Sequence, residues 1–133
     1  KLIEKLKKER YSSIALSENW LKIWRTRMPE SKILNDAEDV KIKKKFIQSI
    51  GLKITNKLPK FQYMGLFKIL IKDYKKLGKN FIKIKNKKID MTSFINLMII
   101  DRKFKFSYIK TSSKWYEIDT PSDVKNFKKI NFN

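Results

Sequence analysis

The segment SKWYEIDTPSDVKNF (113–127) concentrates acidic residues in a chain whose formal net charge is +20. We expect its first part, WYEID, to form a strand, in which alternate side chains share one face. Glu117 and Asp119 would then lie on the same face, about 7 Å apart, at the end of a strand and just before a helix. Ligands of α/β folds bind at such positions. Two interpretations stay open here: a ligand-binding pair of carboxylates, and a solvated polar face of an edge strand.

The next residues of the segment predict the start of a helix. Thr120 can cap it, Pro121 suits the first helical position, and Asp123 lies at the third position, where it can complete a capping box. Such a cap stabilises a helix by about 1 kcal/mol. The pattern therefore gives Asp123 an architectural role.

The composition excludes several kinds of site. The chain contains no histidine and no cysteine, which removes imidazole bases, thiolate nucleophiles and zinc sites that need either residue. A metal ion would have to bind oxygen ligands, as Mg²⁺, Mn²⁺ and Ca²⁺ do. Of the 33 basic residues, 29 are lysine and four are arginine. Because arginine is the residue that forks onto phosphates and bases, we attribute the charge to compositional bias and do not expect nucleic acid as a partner. A functional basic surface is the alternative.

The apolar patterning predicts alternating helices and strands along residues 1–133, read as one domain-sized unit of α/β character. No apolar run is long enough to span a bilayer and no secretory signal is recognisable, so we expect a cytoplasmic protein without a membrane partner. Expected helices lie near residues 1–10, 18–28, 73–84 and 91–102, the last capped by Asp90. Expected strands lie near residues 12–16, 40–50, 52–55, 63–71, 103–111 and 115–119, with a turn at Gly51 and a loop becoming extended over 31–40.

Six segments, taken together and in order, resemble the nucleotidyltransferases of the nucleotide-diphospho-sugar transferase fold (the GT-A-like fold). The closest likeness is to cytidylyltransferases that activate phosphocholine, aminoalkylphosphonates or sugar phosphates. The segments are ENWLKIWRTR (18–27), NDAED (35–39), SIGLKI (49–54), FQYMGLFKI (61–69), IDMTSFINLMI (89–99) and WYEIDTPSDV (115–124). The resemblance covers residues 14–128 and implies a mixed-sheet, three-layer α/β domain that forms the C-terminal part of this fold.

The resemblance also implies an activity and residues that carry it. In such enzymes the aspartate of the EID segment helps to bind a divalent ion, which here makes Asp119 the expected ligand of Mg²⁺ or Mn²⁺, with Glu117 beside it. The expected reaction transfers a nucleotidyl group, CMP from CTP, to a small phosphate or phosphonate acceptor and releases pyrophosphate. Transfer of this kind depends chiefly on positioning and electrostatics, so it needs neither histidine nor cysteine.

The same family likeness places the acceptor on other residues. The expected acceptor-binding residues are Gln62, Tyr63, Gly65, Asp90 and Trp115. Gly65 would let the acceptor lie against the backbone, whereas for Asp90 the cap of a helix is an equal alternative. An acceptor amine or quaternary ammonium would be held by acidic and aromatic groups. Asp36 and Glu38 match the family segment, but no role follows from their chemistry.

The chain departs from the family in one large respect. The glycine-rich triphosphate loop and the DxD-type loop of the family's N-terminal half have no counterpart among its three unclustered glycines. We therefore expect this chain alone to be inactive, and the missing N-terminal half or an oligomeric partner to complete the site. The alternatives are a basic nucleic-acid-binding module and a non-catalytic remnant that acts as an interaction domain.

Overall fold

The computed structural model describes residues 1–54, 57–85 and 88–128. In this part of the chain, six helices and five strands follow one another in a mixed order. The helices are α1 (Leu2–Lys8), α2 (Trp20–Trp24), α3 (Glu30–Asp36), α4 (Ile71–Lys83), α5 (Met91–Ile100) and α6 (Pro121–Phe127). The strands are β1 (Ser13–Ser17), β2 (Glu38–Lys43), β3 (Phe46–Lys53), β4 (Gln62–Lys68) and β5 (Ser107–Thr111).

The five strands form one mixed sheet in the order β2-β3-β5-β1-β4. β1 and β5 run parallel, and the other neighbouring pairs are antiparallel. This confirms the α/β class and the mixed sheet predicted from the sequence. Because β1 and β5 are parallel, the chain leaves both of them at the same edge of the sheet.

Helices cover both faces of the sheet, and the alternation of side chains along β1 shows why. Ile14 and Leu16 belong to the main core, which α4 and α5 close with residues such as Leu77 and Met98. Ala15 points to the opposite face, where it packs with Leu6 of α1. Every residue of β1 is buried, as expected for a central strand covered on both faces.

A third apolar cluster lies where the chain leaves β1. Trp20 and Trp24 of α2 meet edge to face, with their ring centroids 5.3 Å apart. They pack with Ile33 of α3, with Ala37 and with the half-buried Trp115. This cluster supports the segments that follow the ends of β1 and β5.

Gly51 lies inside β3 and not in a turn between two strands, so that sequence prediction was wrong. An irregularity in the β2–β3 register falls beside it, and its φ of +75° is one that side chains with a Cβ rarely adopt. A Cβ at this position would lie 2.5 Å from Cγ2 of Thr92. A glycine at position 51 therefore allows both the positive φ and the close approach of α5. The predicted strand over 52–55 continues β3 to Lys53, and its last residue lies outside the described residues.

Two further secondary-structure predictions were wrong. The segment 31–40, expected as a loop becoming extended, is mostly helix α3 followed by the first residues of β2. The segment 40–50, expected as one strand, is a hairpin that turns at Lys44 and Lys45. A run of lysines carries no turn signal of the Asn-Gly kind, so the pattern hid this hairpin.

The segment WYEID is not a strand, contrary to the prediction. β5 ends at Thr111, and residues 112–120 continue as an irregular connection to α6. Backbone and side-chain hydrogen bonds tie this connection to the end of β1: Glu18 N–H donates to Thr111 O, and the Asn19 side chain donates to Ser112 O, each at 2.9 Å. Within the described residues, none of the helices is long and apolar enough to cross a membrane.

Candidate functional site

The acidic residues of the opening segment converge on one arginine. The guanidinium of Arg27 donates from Nη1 to Glu117 Oε2 at 2.9 Å, from Nη2 to Asp119 Oδ2 at 2.7 Å, and from Nε to Asp123 Oδ1 at 3.1 Å. We call these four residues the Arg27 cluster. Glu117 and Asp119 do not have the strand geometry that was expected. Their carboxylates are nevertheless close together, because both accept hydrogen bonds from the same guanidinium.

The two halves of the Arg27 cluster come from the two parallel strands. Arg27 follows α2, which begins three residues after the end of β1, and the carboxylates follow the end of β5. The cluster therefore lies beyond the carboxyl ends of two adjacent parallel strands. In α/β sheets this is the edge at which ligands bind.

Burial differs sharply among the members of the cluster. The Arg27 side chain is 4% exposed and that of Asp123 is 6% exposed, whereas that of Asp119 is 68% exposed. Glu117 is intermediate. Arg27 and Asp123 are thus buried, whereas the Asp119 carboxylate that Arg27 holds faces the solvent.

Asp123 has the architectural role that the sequence predicted. The Thr120 side chain accepts from Asp123 N–H, and the Asp123 carboxylate accepts from Thr120 N–H at 2.8 Å, which is a complete capping box at the start of α6. Hydrogen bonds from Arg27 first, and from Thr120 next, hold the pKa of the Asp123 carboxyl well below its usual range. Asp123 is therefore ionised in the folded protein at neutral pH.

Burial and hydrogen bonding have opposing effects on the pKa values of Arg27 and Glu117. Burial lowers the pKa of Arg27, but hydrogen bonds to Asp123, Asp119 and Glu117 outweigh it and the pKa is raised. For Glu117 burial prevails: it raises the pKa of the carboxyl despite the neighbouring Arg27. With three carboxylates around one guanidinium, the cluster keeps an excess of negative charge when all are ionised.

A second polar group brings together three of the expected acceptor-binding residues. Gln62 is buried at the start of β4, and its Oε1 accepts from Glu38 N–H at 3.3 Å. Burial, and then the charge of Glu38, raises the pKa of Tyr63 to about 12. Burial, and then the charge of Asp90, raises the pKa of Glu38. We call Glu38, Gln62, Tyr63 and Asp90 the Glu38 cluster.

Asp90 has one of the two roles that the sequence left open, the cap of a helix. Its Oδ1 accepts from Ser93 N–H at 2.8 Å, so it caps α5 as predicted. Its pKa is lowered, chiefly by a hydrogen bond from the Ser93 side chain and next by the one from Ser93 N–H. The same carboxylate is close enough to Glu38 for the two charges to interact. Capping thus fixes a second negative charge beside Glu38.

The remaining predicted site residues lie apart from these contacts. Gly65 is exposed in β4, at a φ of +72°, and a Cβ there would meet no atom within 4 Å. Its backbone conformation accounts for the glycine, and the space beside it is open. Trp115 packs against the Trp20–Trp24 cluster. Asp36 is the last residue of α3 and is exposed.

Two residues of these clusters were not identified as site residues from the sequence. Arg27 continues the helical spacing of Trp20 and Trp24. Glu38 continues the alternation of Val40 and Ile42, which pack against the core. In both cases the missed signal is a charged residue at a position that continues an apolar face. A charge on such a face is costly to bury unless it has a partner, so it indicates a paired or functional residue.

The Arg27 cluster offers a divalent ion few oxygen donors that are not already engaged. Within the described residues, no group of three or more acidic side chains is arranged to hold a metal ion by itself. Mg²⁺ in phosphoryl-transfer sites is bound by one or two carboxylates together with waters and substrate phosphates. The exposed carboxylate of Asp119 fits one such position, while Glu117 is engaged by Arg27.

Comparison with known proteins adds no family assignment. No protein-family model matches the chain, and no curated protein sequence matches it at a significant level. The functional interpretation therefore depends on the geometry of the two clusters and on the ordered segments of the sequence.

Proposed function

We propose that this chain is the acceptor-binding, C-terminal part of a metal-dependent nucleotidyltransferase with the nucleotide-diphospho-sugar transferase fold. The proposed reaction transfers CMP from CTP to a small phosphate or phosphonate acceptor and releases pyrophosphate. The observation that carries this proposal is the exposed Asp119 carboxylate, which a buried arginine holds beyond the ends of two parallel strands. The ordered resemblance of six sequence segments supports the same reaction.

Asp119 is the proposed metal ligand, and Mg²⁺ or Mn²⁺ the proposed ion. A divalent ion in such a site offsets the negative charge of the reacting phosphates. Arg27 holds one oxygen of Asp119 at 2.7 Å and thereby fixes the direction of the carboxylate. Glu117 shares the same guanidinium, so it limits the positions that Arg27 can take. These contacts prearrange the ligand before substrate binds.

The Glu38 cluster is the proposed acceptor site. Glu38 and Asp90 together carry negative charge beside the partly buried Tyr63 ring. Carboxylates and an aromatic ring suit a positively charged ammonium group. We therefore propose an acceptor that carries an amine or quaternary ammonium as well as its phosphate or phosphonate. Trp115, two residues before Glu117, packs in the tryptophan cluster and in this scheme anchors the start of the acidic segment.

The nucleotide triphosphate needs groups that this sequence does not contain. Its three glycines, Gly51, Gly65 and Gly78, are separated and form no phosphate-binding loop. We therefore propose that turnover requires an N-terminal half supplied by the same gene product or by a partner. The cytoplasm, where CTP is available, is the proposed location.

The proposal is tested by pyrophosphate release from CTP in the full-length gene product. We expect turnover that depends on Mg²⁺ and on a phosphorylated amine. Asp119→Asn should reduce kcat by about 100-fold, since loss of a metal ligand or its support costs 10- to 100-fold or more. Glu38→Gln should mainly raise KM for the acceptor. Asp101→Asn is the matched control, because Asp101 is a carboxylate that pairs with the exposed Lys103.

Three outcomes would count against the proposal. Equal turnover by Asp119→Asn and the parent protein would favour a non-catalytic interaction domain. Absence of CTP turnover, with tight and steeply salt-dependent binding of RNA or DNA, would favour the nucleic-acid-binding alternative. Turnover by residues 1–133 alone would show that the missing phosphate-binding groups are not needed.

A further inference from the structure

Helix α4 carries an exposed apolar stripe that the proposed reaction does not use. Ile71 is 77% exposed, Tyr74 is 68% exposed and Ile82 is 76% exposed. With Gly78, they follow one another at intervals of three and four residues, which places them on one side of the helix. Large apolar side chains exposed in a row mark an interaction surface.

The side of α4 that adjoins this stripe is fastened to the body of the protein. Leu77 is buried in the main core, and the Phe81 ring meets Phe94 of α5 edge to face at 5.5 Å. At the start of the helix, Asp73 Oδ2 accepts from the Ser12 hydroxyl at 2.7 Å. These contacts fix the orientation of α4, so the apolar stripe faces outward as a consequence of the packing.

Lysines flank the stripe along the whole helix. All are exposed, and within the described residues none has a carboxylate within ion-pairing distance. The single acidic residue of α4, Asp73, is engaged by Ser12. The flanking residues are Lys72, Lys75, Lys76, Lys79 and Lys83.

We propose that α4 docks on the surface of an anionic lipid bilayer. A helix with an apolar stripe beside a row of lysines is the arrangement that lies in the interface of such a membrane, with its apolar side chains among the lipid tails and its ammonium groups at the headgroups. A membrane surface as partner replaces the expectation, drawn from the sequence, that the chain has none. The five lysines of α4 supply the local positive charge, whatever the origin of the net charge of +20. This mode needs no membrane-spanning segment, so it is compatible with the lengths of the described helices.

The occupant follows from the combination of the two features. A purely apolar partner would leave the five lysines without counter-charges, and a nucleic acid would leave the isoleucines in water. A bilayer containing anionic lipid satisfies both. The proposal is independent of the nucleotidyltransferase reaction, because it involves neither the Arg27 cluster nor the Glu38 cluster.

Co-sedimentation with vesicles tests the proposal on the 133-residue chain. We expect binding to vesicles of phosphatidylcholine mixed with phosphatidylglycerol and little binding to phosphatidylcholine alone. The pair Lys75→Glu and Lys79→Glu should weaken binding at least about tenfold, because each lysine near an anionic surface contributes measurably. The pair Lys5→Glu and Lys8→Glu on α1 is the control, since it changes the net charge equally.

A neutral pair of substitutions separates insertion from electrostatic attraction. Ile71→Ser with Tyr74→Ser leaves the charge unchanged and should also weaken vesicle binding, whereas Ile3→Ser on α1 should not. Because the chain contains no cysteine, Tyr74→Cys can carry a single environment-sensitive dye. Its emission should shift to the blue on anionic vesicles, and a dye at Ile3→Cys should not respond.

The results that overturn the proposal are equally specific. Equal losses from the α4 pair and the α1 pair would show general electrostatic adsorption without a docking face. Unchanged vesicle binding after both α4 pairs would remove α4 from the interaction. Self-association that is lost with Ile71→Ser and Tyr74→Ser, without any blue shift on vesicles, would identify a second copy of the chain as the occupant.

Discussion

Replacing Arg27 by methionine is the perturbation that bears most directly on the architecture of the acidic segment. Methionine keeps much of the side-chain length and its apolar contacts but removes the guanidinium. Four hydrogen bonds are lost: two to Asp123 and one each to Glu117 and Asp119. The contact of the guanidinium with the Tyr116 ring, 5.6 Å from its centroid, is lost as well.

The expected cost follows from the burial of each partner. Removing one member of a buried ion pair typically costs about 3–5 kcal/mol, because the other charge stays buried without its counter-ion. Asp119 and, in part, Glu117 can regain water, and Asp123 keeps its hydrogen bonds to Thr120. We therefore expect the lower end of this range, about 3 kcal/mol of unfolding free energy. For a chain of this size this corresponds to roughly 10 °C in Tm.

The pH dependence gives the same prediction a second readout. Because the folded-state pKa of Asp123 is lowered, its ionised form stabilises the fold at pH values above its unfolded pKa, roughly 3.9. This contribution is lost as the pH falls through the folded-state pKa. In Arg27→Met the lowering should shrink, so the variant should lose less stability than the parent protein between about pH 4 and more acidic values.

Urea unfolding at pH 7 and in the acidic range measures both effects. Arg25→Met is the matched control: Arg25 lies two residues away and pairs with Glu30, but both side chains are exposed. Arg27→Lys should fall between the two, since one ammonium keeps the charge but cannot fork onto three carboxylates. Equal stability of Arg27→Met and Arg25→Met would refute the assignment of Arg27 as the buried anchor of the segment.

Three further substitutions test the fold and the Glu38 cluster. Gly51→Ala should destabilise the protein by roughly 1–3 kcal/mol, because of its positive φ and the approach of Thr92, as measured by urea unfolding. Gly78→Ala, in the exposed interior of α4, should stabilise it by roughly 0.5–1 kcal/mol in the same assay. Glu38→Gln should stabilise it at pH 7 and not below about pH 4: the pKa of Glu38 is raised, so its ionised form disfavours the fold as the pH rises. A change in the free energy of unfolding with the opposite sign would contradict the reasoning for that substitution.

The sequence predicted those elements that local patterns determine. The buried strand near residues 12–16, the cap of α5 by Asp90 and the capping box of α6 are all found in the structure. In each case the signal lies within a few neighbouring residues: an apolar run, or a side chain that can reach a free backbone N–H. The α/β class followed from the alternation of such elements.

The Arg27 cluster was only half predictable, because its contacts cross the whole chain. Arg27 and Asp123 are 96 positions apart in sequence, and no pattern in the residues near either one predicts their contact. The strand expected at WYEID failed for the same reason. The segment is held by side-chain hydrogen bonds to the distant Arg27 and not by backbone hydrogen bonds of a sheet. The alternation of polar and apolar residues in the sequence does not indicate such long-range contacts.

The proposed role of Asp119 can be measured directly by NMR with Mn²⁺ on the full-length gene product in the presence of CTP. A bound paramagnetic ion broadens the amide signals nearest to it. We expect broadening centred on Asp119 and its neighbours that disappears in Asp119→Asn and persists in Asp101→Asn. Broadening that is unchanged by Asp119→Asn, or that is absent around residues 117–120, would contradict the assignment of Asp119 as a metal ligand.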